Sequence, residues 1–229
     1  MNPVFCAVDT PDLAGAEKLI DSLQGHVGGI KLGLEFFMAH GMAGYSVIAI
    51  KGLPIFLDVK LHDIPNTVAG AVASLLPLRP AFMTIHASGG AAMMRAAAEA
   101  AAKAGAERPK LLAVTVLTSL DGGDLADVGQ DADTLRQVVR LAKLAQASGM
   151  DGCICSPEEI PALRAALGKD FILMVPGIRP DWAAANDQKR AMTPRQACDA
   201  GATYLVIGRP ITKAQDPAQA AQRIESELA

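Results

Sequence analysis

Two charged side chains lie two positions apart at the end of an apolar stretch of the sequence. The segment Phe56-Leu57-Asp58-Val59-Lys60-Leu61 surrounds Asp58 and Lys60 with hydrophobic residues. Because successive side chains of a β-strand point to opposite faces, a strand here would project both charges to the same side. Burying either charge costs on the order of several kcal/mol unless it is paired, so such residues are usually functional or ion-paired. A charged lysine at this position can donate a proton, and a structural ion-pair network is the alternative.

Further charged groups lie close to this pair. His62-Asp63-Ile64-Pro65-Asn66-Thr67 follows directly, and Pro65 with Asn66 is typical of a helix start. Asp63 would then lie in a loop at the same end of the strand. Lys31 is a second lysine inside an apolar run. We therefore expect two carboxylates and one or two lysines to share a small volume, where opposite charges keep each other ionised.

Two segments near the C-terminal end of the chain indicate an anion site. Val175-Pro176-Gly177-Ile178-Arg179 and Val206-Ile207-Gly208-Arg209-Pro210 each combine glycine with arginine after an apolar run. Glycine lets backbone N–H groups approach a ligand, and arginine supplies charge-assisted hydrogen bonds. We therefore expect a phosphorylated substrate. The polar segment from Pro180 to Met192 is either a lid or a solvated loop.

Short apolar runs alternate with helix-compatible segments and would position these residues. The predicted strands are Val4–Val8, Gly29–Leu32, Ile55–Val59, Phe82–Ile85, Leu111–Leu117, Gly152–Cys155, Ile172–Val175 and Tyr204–Ile207. The predicted helices include Leu13–Leu23, Ala91–Ala104, Thr134–Ala147 and Pro157–Leu167. This rhythm predicts an α/β fold, a single (β/α)8 TIM barrel that forms one catalytic domain over residues 1–229. The active site of such a barrel lies at the C-terminal ends of the strands, where the polar residues gather.

Composition, charge and missing motifs argue against nucleic-acid-binding, membrane-spanning and common nucleotide-binding proteins. The 229 residues carry 21 Lys plus Arg against 24 Asp plus Glu, a net charge of −3, and the basic residues are dispersed. We expect a small-molecule partner rather than nucleic acid. Charged or polar residues interrupt every hydrophobic stretch before it could span a membrane, and Met1 to Phe5 has no basic leader, so we expect a cytoplasmic protein. The dinucleotide and P-loop phosphate-binding motifs are absent from the sequence.

The cysteines and histidines do not form a recognisable site. Cys153 and Cys155 are two apart without a second pair at zinc-ligand spacing, so we interpret the cysteines as small hydrophobic residues and predict no metal site. We interpret His62 and His86 as structural.

The motifs together resemble the orotidine 5′-phosphate decarboxylase family, in its bacterial branch. The resemblance rests on D-x-K-x-x-D-I-P-x-T, formed by Asp58, Lys60, Asp63, Ile64, Pro65 and Thr67. It extends in order through Ala7-Val8-Asp9, Lys31-Leu32-Gly33, Leu117-Thr118-Ser119, Val175-Pro176-Gly177-Ile178-Arg179 and Gly208-Arg209-Pro210-Ile211-Thr212. It implies loss of CO₂ from orotidine 5′-monophosphate to give uridine 5′-monophosphate, the last step of de novo pyrimidine biosynthesis, without metal or organic cofactor.

The resemblance also implies roles for individual residues. Lys60 would protonate carbon six of the pyrimidine, with Asp58 near the substrate carboxylate and Lys31 and Asp63 completing the charge array. The substrate-binding residues would be Asp9 and Lys31 at the ribose, Thr118 at the base, Pro176, and Arg179, Gln188, Gly208 and Arg209 around the phosphate. The family is dimeric, so Asp63, Ile64 and Thr67 would complete the site of the partner subunit.

Two other functions remain open from the residues. A related barrel enzyme, a keto-sugar-phosphate decarboxylase or hexulose-phosphate synthase, would share D-x-K-x-x-D but use Mg²⁺ and lack I-P-x-T. A non-catalytic barrel that binds nucleotide phosphates is the other alternative, although affinity alone does not require both Asp58 and Lys60.

Overall fold

The computed structural model describes residues 2–183 and 192–228, in which eight parallel strands close into a barrel. The strands are β1 (Val4–Ala7), β2 (Gly29–Gly33), β3 (Ile55–Leu61), β4 (Phe82–His86), β5 (Lys110–Val114), β6 (Gly152–Ile154), β7 (Ile172–Val175) and β8 (Tyr204–Ile207). Each strand pairs with the next along the chain, and β8 pairs with β1 to complete the ring. The predicted TIM barrel is confirmed.

Helices connect the strands and cover the outside of the barrel. They are α1 (Leu13–Ser22), α2 (Leu34–Ala49), α3 (Pro65–Leu75), α4 (Gly90–Ala102), α5 (Gly122–Asp127), α6 (Thr134–Ala147), α7 (Ile160–Leu167), α8 (Pro194–Ala200), α9 (Arg209–Thr212) and α10 (Pro217–Leu228). Helix α3 starts at Pro65, as the sequence predicts. Proline suits this position because the backbone N–H of a first helical residue has no acceptor within the helix, so its absence costs no hydrogen bond. Within the described ranges, no helix has the length and apolarity needed to cross a membrane.

Alternating strand side chains build two separate apolar layers. Cys6, Leu57 and many other buried side chains fill the outer layer between strands and helices. The inner layer contains Phe5, Phe56 and Phe82, and their ring centroids lie 5.4 Å apart for Phe5 and Phe82 and 6.2 Å apart for Phe56 and Phe82. Phe82 and Tyr204 begin their strands, so aromatic rings fill the N-terminal end of the barrel. The opposite end is left for polar groups.

Two strands, β3 and β5, end more than one residue away from their predicted ends. The predicted β5 continues to Leu117, but its pairing with β6 stops at Val114 opposite Ile154. The hydroxyl of Thr115 donates to the Ile154 carbonyl at 2.9 Å. A side-chain hydrogen bond therefore replaces the backbone hydrogen bond just beyond the last paired residue of β5. In contrast, β3 continues past Val59 to Leu61. Both differences change which residues lie at the C-terminal mouth of the barrel, compared with the prediction.

The cysteines behave as the sequence predicts for small apolar side chains. Cys6, Cys153 and Cys155 are buried free thiols, and Cys198 is a half-buried free thiol. Burial, together with the nearby carboxylate of Asp9, raises the pKa of Cys6 to about 12. This thiol therefore stays protonated and contributes packing to the outer layer.

Candidate active site

Charged side chains from the first three strands meet at the C-terminal mouth of the barrel. Asp9 follows β1, Lys31 lies on β2, and Asp58 and Lys60 lie on β3. Lys31 pairs with Ala7 on one side and with Phe56 on the other. Because both of those residues belong to the inner layer, the Lys31 side chain also points into the barrel.

These four residues form one connected array of charges. Lys31 Nζ lies 2.9 Å from Asp9 Oδ1 and 3.5 Å from Asp58 Oδ2. Lys60 Nζ lies 2.8 Å from the same Asp58 oxygen. The exposed fractions of the side chains are 10% for Asp58, 11% for Lys31 and 28% for Lys60. Asp58 is therefore a nearly desolvated carboxylate between two ammonium groups.

The electrostatic environment keeps the central pair ionised. Burial by itself raises the pKa of Asp58, but the charges of Lys31 and Lys60 outweigh that effect and hold its pKa below the usual value. Burial likewise lowers the pKa of Lys31, but Asp58 and Asp9 reverse the direction and raise its pKa above the usual value. At neutral pH the site therefore contains an anionic Asp58 beside a cationic Lys31.

The backbone that carries Asp58 and Lys60 is not a regular strand. Lys60 has φ of 51°, in the left-handed region that non-glycine residues seldom adopt. The pairing between β3 and β4 shifts in register between Leu57 and Leu61. The predicted contact between Asp58 and Lys60 is present, but it arises from this irregular backbone as well as from strand alternation.

A cavity of about 190 Å³ opens directly above the charge array. Lys31, Asp58 and Lys60 form its polar floor, and Thr118 and Pro176 line it from the loops after β5 and β7. The remaining lining is apolar, from Phe56, Val114, Val116, Leu117, Ile154 and Val206. An apolar cavity with a few convergent charges can exclude water around a planar ring and strengthen electrostatic interactions inside it.

Other predicted site residues lie outside the lining of this cavity. Asp63, Ile64 and Thr67 are exposed to solvent at the start of α3, and Ile64 keeps 66% of its surface exposed. Asp63 Oδ1 accepts a hydrogen bond from the Ile64 backbone N–H at 2.6 Å. The described part of one chain therefore does not bring these residues to the cavity.

The predicted phosphate-binding residues come from the loops after β7 and β8. Arg179 is buried, with 8% of its surface exposed, and its backbone N–H donates to the Met192 carbonyl at 3.0 Å. Gly208 precedes α9, and Arg209 is the first residue of that short helix. Gln188, and with it most of the predicted lid from Pro180 to Met192, lies outside the described residues.

Two residues to which the sequence patterns assigned no role support the charge array. Thr84 on β4 is fully buried, and its hydroxyl donates to Asp58 Oδ1 at 3.0 Å. Gly33 leaves room for the Lys31 contact with Asp9, because a Cβ there would lie 2.9 Å from Lys31 Nζ and 3.0 Å from Asp9 Oδ1. A hydroxyl on the inner face of an otherwise apolar strand was the available signal for Thr84.

The two histidines lie together beside the array. The rings of His62 and His86 are 5.4 Å apart between centroids and tilted by 31°. Burial, followed by the charges of His62 and Lys60, lowers the pKa of His86 below its usual value. His86 is therefore mostly neutral at pH 7.

Known proteins resemble this chain along its whole length. The sequence profile of the orotidine 5′-phosphate decarboxylase / HUMPS family matches residues 2–224. The "Orotidine 5'-phosphate decarboxylase" of Paramagnetospirillum magneticum is 55% identical over 232 residues, which cover 100% of this chain and 99% of the relative. The protein of that name from Rhodospirillum rubrum is 53% identical, with 99% of this chain and 94% of the relative covered. The crystal structure of orotidine 5′-phosphate decarboxylase from Lactobacillus acidophilus is 37% identical and superposes with a TM-score of 0.88, covering 100% of this chain and 99% of that chain.

Proposed function

The chain belongs to the orotidine 5′-phosphate decarboxylase / HUMPS family, and we propose on this premise which of its residues carry the reaction. It decarboxylates orotidine 5′-monophosphate to uridine 5′-monophosphate and CO₂, the last step of de novo pyrimidine biosynthesis. Relatives at 53–55% identity bear the name of this decarboxylase, which favours it over the Mg²⁺-dependent sugar-phosphate alternative.

Lys60 is the proton donor in this proposal. As the bond between carbon six and the carboxylate breaks, CO₂ leaves and the electron pair remains on carbon six. The Lys60 ammonium stabilises this developing negative charge and then transfers its proton to the carbon. The observation that carries the proposal is the short contact of Lys60 Nζ with a buried, ionised Asp58 at the floor of an apolar cavity.

Asp58 acts on the substrate and on Lys60 at the same time. One of its oxygens accepts from Lys60 Nζ and so orients the ammonium toward the cavity. A substrate carboxylate bound above this floor meets a second negative charge in a nearly dry site, and the repulsion is relieved when CO₂ departs. Lys31 belongs to the same charge array, and Asp63 of the partner subunit adds a further carboxylate to it.

The remaining residues hold the ends of the nucleotide. Asp9 and Lys31 contact the ribose hydroxyls, Thr118 contacts the amide edge of the pyrimidine, and Pro176 packs beside them. The phosphate is held by Arg179, Gln188, Gly208 and Arg209. The positions of Thr118 and Pro176 in the cavity lining support this arrangement, as does the buried Arg179 in the loop after β7.

The working form in this proposal is a cytoplasmic homodimer of single-domain subunits that span residues 1–229. Asp63, Ile64 and Thr67 of each subunit complete the site of the other, which accounts for an apolar Ile64 exposed beside a polar site. Neither nucleic acid nor membrane takes part, and the ammonium of Lys60 provides the charge stabilisation that a metal or organic cofactor supplies elsewhere.

Turnover of orotidine 5′-monophosphate by purified protein, with excess chelator present, tests this assignment. The wild type should consume the orotate chromophore at a rate that the chelator does not change, while Lys60→Ala should lose at least about 10³-fold in kcat. The matched control Lys169→Ala removes a lysine on the opposite end of the barrel, before β7, and should leave kcat unchanged. Loss of wild-type turnover on chelation would contradict the metal-free reaction, and an active Lys60→Ala variant would contradict the role of Lys60.

A further inference from the structure

The irregular part of β3 faces a single residue of β4. Leu57 pairs with Met83 and Leu61 pairs with Ile85, so three residues of β3 stand opposite Thr84 alone. Those three residues are Asp58, Val59 and Lys60. The insertion that brings both charged side chains to the mouth of the barrel is therefore centred on Thr84.

The Thr84 hydroxyl joins the two ends of this insertion. It accepts a hydrogen bond from the Lys60 backbone N–H at 2.9 Å and donates to Asp58 Oδ1 at 3.0 Å. The first contact satisfies an amide that the shifted ladder leaves without a β4 carbonyl, at the residue with φ of 51°. The second contact holds one carboxylate oxygen while the other accepts from Lys60 Nζ at 2.8 Å.

We propose that Thr84 is a positioning residue for the decarboxylation reaction. Its one hydroxyl group fixes the positions of Asp58 and Lys60 relative to each other. The inference rests on the proposed roles of those two residues. Thr84 is fully buried beneath them and does not line the cavity, so it acts through them rather than on the substrate. A hydroxyl is required because the same atom must accept from an N–H and donate to a carboxylate.

Loss of this hydroxyl should affect catalysis more than binding. Without it, the Lys60 amide has lost its acceptor and the Asp58 carboxylate can rotate about its bond to Cβ. The Lys60 ammonium would then be displaced from carbon six, and a displacement of about 1 Å can lower a rate roughly 10²-fold. The groups proposed for the ribose and phosphate are on other strands and loops, so nucleotide affinity should change little.

Steady-state kinetics of Thr84→Val and Thr84→Ser test the proposal. Valine keeps the shape without the hydroxyl and should lower kcat by about 10-fold to 100-fold, with the KM for orotidine 5′-monophosphate and the Kd for uridine 5′-monophosphate within about threefold of wild type. Serine keeps the hydroxyl and should retain most of the wild-type kcat. If Thr84→Val does not fold, Thr84→Cys replaces it, because a thiol hydrogen-bonds weakly, and should show a lower kcat than Thr84→Ser.

Thr203→Val is the matched control at the other end of the barrel. The Thr203 hydroxyl likewise accepts from a backbone N–H, that of Leu173 at 3.1 Å, and from the Arg164 side chain at 2.8 Å. This variant should have a lower thermal midpoint and an unchanged kcat. Equal kcat in wild type and Thr84→Val, equal losses in the valine and serine variants, or a loss confined to KM would each overturn the role of Thr84. Absence of wild-type turnover would instead overturn the proposed function, and this inference with it.

Discussion

At the scale of single residues, Asp58 combines deep burial with a full negative charge. Its side chain is 10% exposed, and its two oxygens accept hydrogen bonds from Lys60 Nζ and from the Thr84 hydroxyl. Lys31 Nζ adds a second positive charge at 3.5 Å. Desolvation would otherwise favour the neutral acid, so the ionised form depends on these neighbours remaining in place.

The pH dependence of stability should reveal this ionised carboxylate. Lys31 and Lys60 overcome the effect of burial and hold the pKa of Asp58 below its ordinary value of 3.8. The folded protein then binds this proton less readily than the unfolded chain. The contribution of Asp58 to stability is complete above the unfolded pKa and is lost as the pH falls through the folded pKa.

We therefore expect the wild type to lose stability relative to Asp58→Asn as the pH falls from about 5 to about 3. Urea unfolding of both proteins at several pH values within this range measures the difference in free energy of unfolding. Shared titrations of other carboxylates cancel in that difference. A difference that does not vary with pH would contradict the lowered pKa of Asp58.

At the scale of elements, the strands differ in how closely they follow regular geometry. The segment of β3 that carries Asp58 and Lys60 contains a left-handed residue and a register shift. The contact between β6 and β7 is regular, with Gly152 paired directly with Ile172. A Cβ on Gly152 would lie 2.3 Å from the Ile172 carbonyl oxygen, which belongs to the neighbouring backbone and cannot rotate away.

Gly152→Ala should therefore destabilise the barrel without changing its chemistry. We expect a loss of about 1–3 kcal/mol in the free energy of unfolding, because the added methyl group must push β6 away from β7. The kcat of the folded protein should be unchanged, since Gly152 begins β6 at the end of the barrel opposite the cavity. Urea unfolding and steady-state kinetics measure the two quantities.

Gly70→Ala is the control for this effect of an added methyl group. Gly70 lies in α3, and a Cβ added there would have nothing within 4 Å, so alanine should leave stability unchanged or raise it by up to about 1 kcal/mol. A Gly152→Ala protein as stable as the Gly70→Ala protein would show that β7 can move to accept the methyl group.

At the scale of the whole molecule, the described part of one chain holds only part of the proposed site. The cavity is lined by Lys31, Asp58 and Lys60, whereas the consecutive residues 62–67 are exposed to solvent. Ile64, at 66% exposure, is an apolar side chain within this exposed segment. A second subunit that covers this segment would bury Ile64 and would place Asp63 in the other subunit's site.

Mixing two inactive variants should restore activity if the sites are shared. Lys60→Ala and Asp63→Ala should each be inactive as homodimers, but a mixed dimer contains one site with both Lys60 and Asp63 intact. When equal amounts of the two variants exchange subunits at random, about half of the dimers are mixed, and each mixed dimer has one complete site out of two. The mixture should therefore recover about a quarter of wild-type activity. Assays before and after subunit exchange measure this recovery. No recovery in a sample that light scattering shows to contain dimers would contradict a shared site.

Local sequence patterns were sufficient to predict the order of the strands and helices and the proximity of Asp58 to Lys60. Short apolar runs with intervening amphipathic segments predicted all eight strands, because period and length are properties of a local window. Asp58 and Lys60 were predicted to share a face because they are two residues apart, and their side chains do meet at 2.8 Å. The motif containing them and Asp63 also indicated the family.

What the sequence alone determined is therefore the barrel, its polar mouth and the residues that could do chemistry there. The tertiary structure decided the left-handed backbone of Lys60, the early end of β5 at Val114 and the place of Thr84 beneath Asp58. Thr84 is separated by 26 residues from Asp58 and by 24 from Lys60, so its contacts form only when β3 and β4 pair. Register between strands depends on packing across the whole barrel, and no local window of the sequence contains both partners.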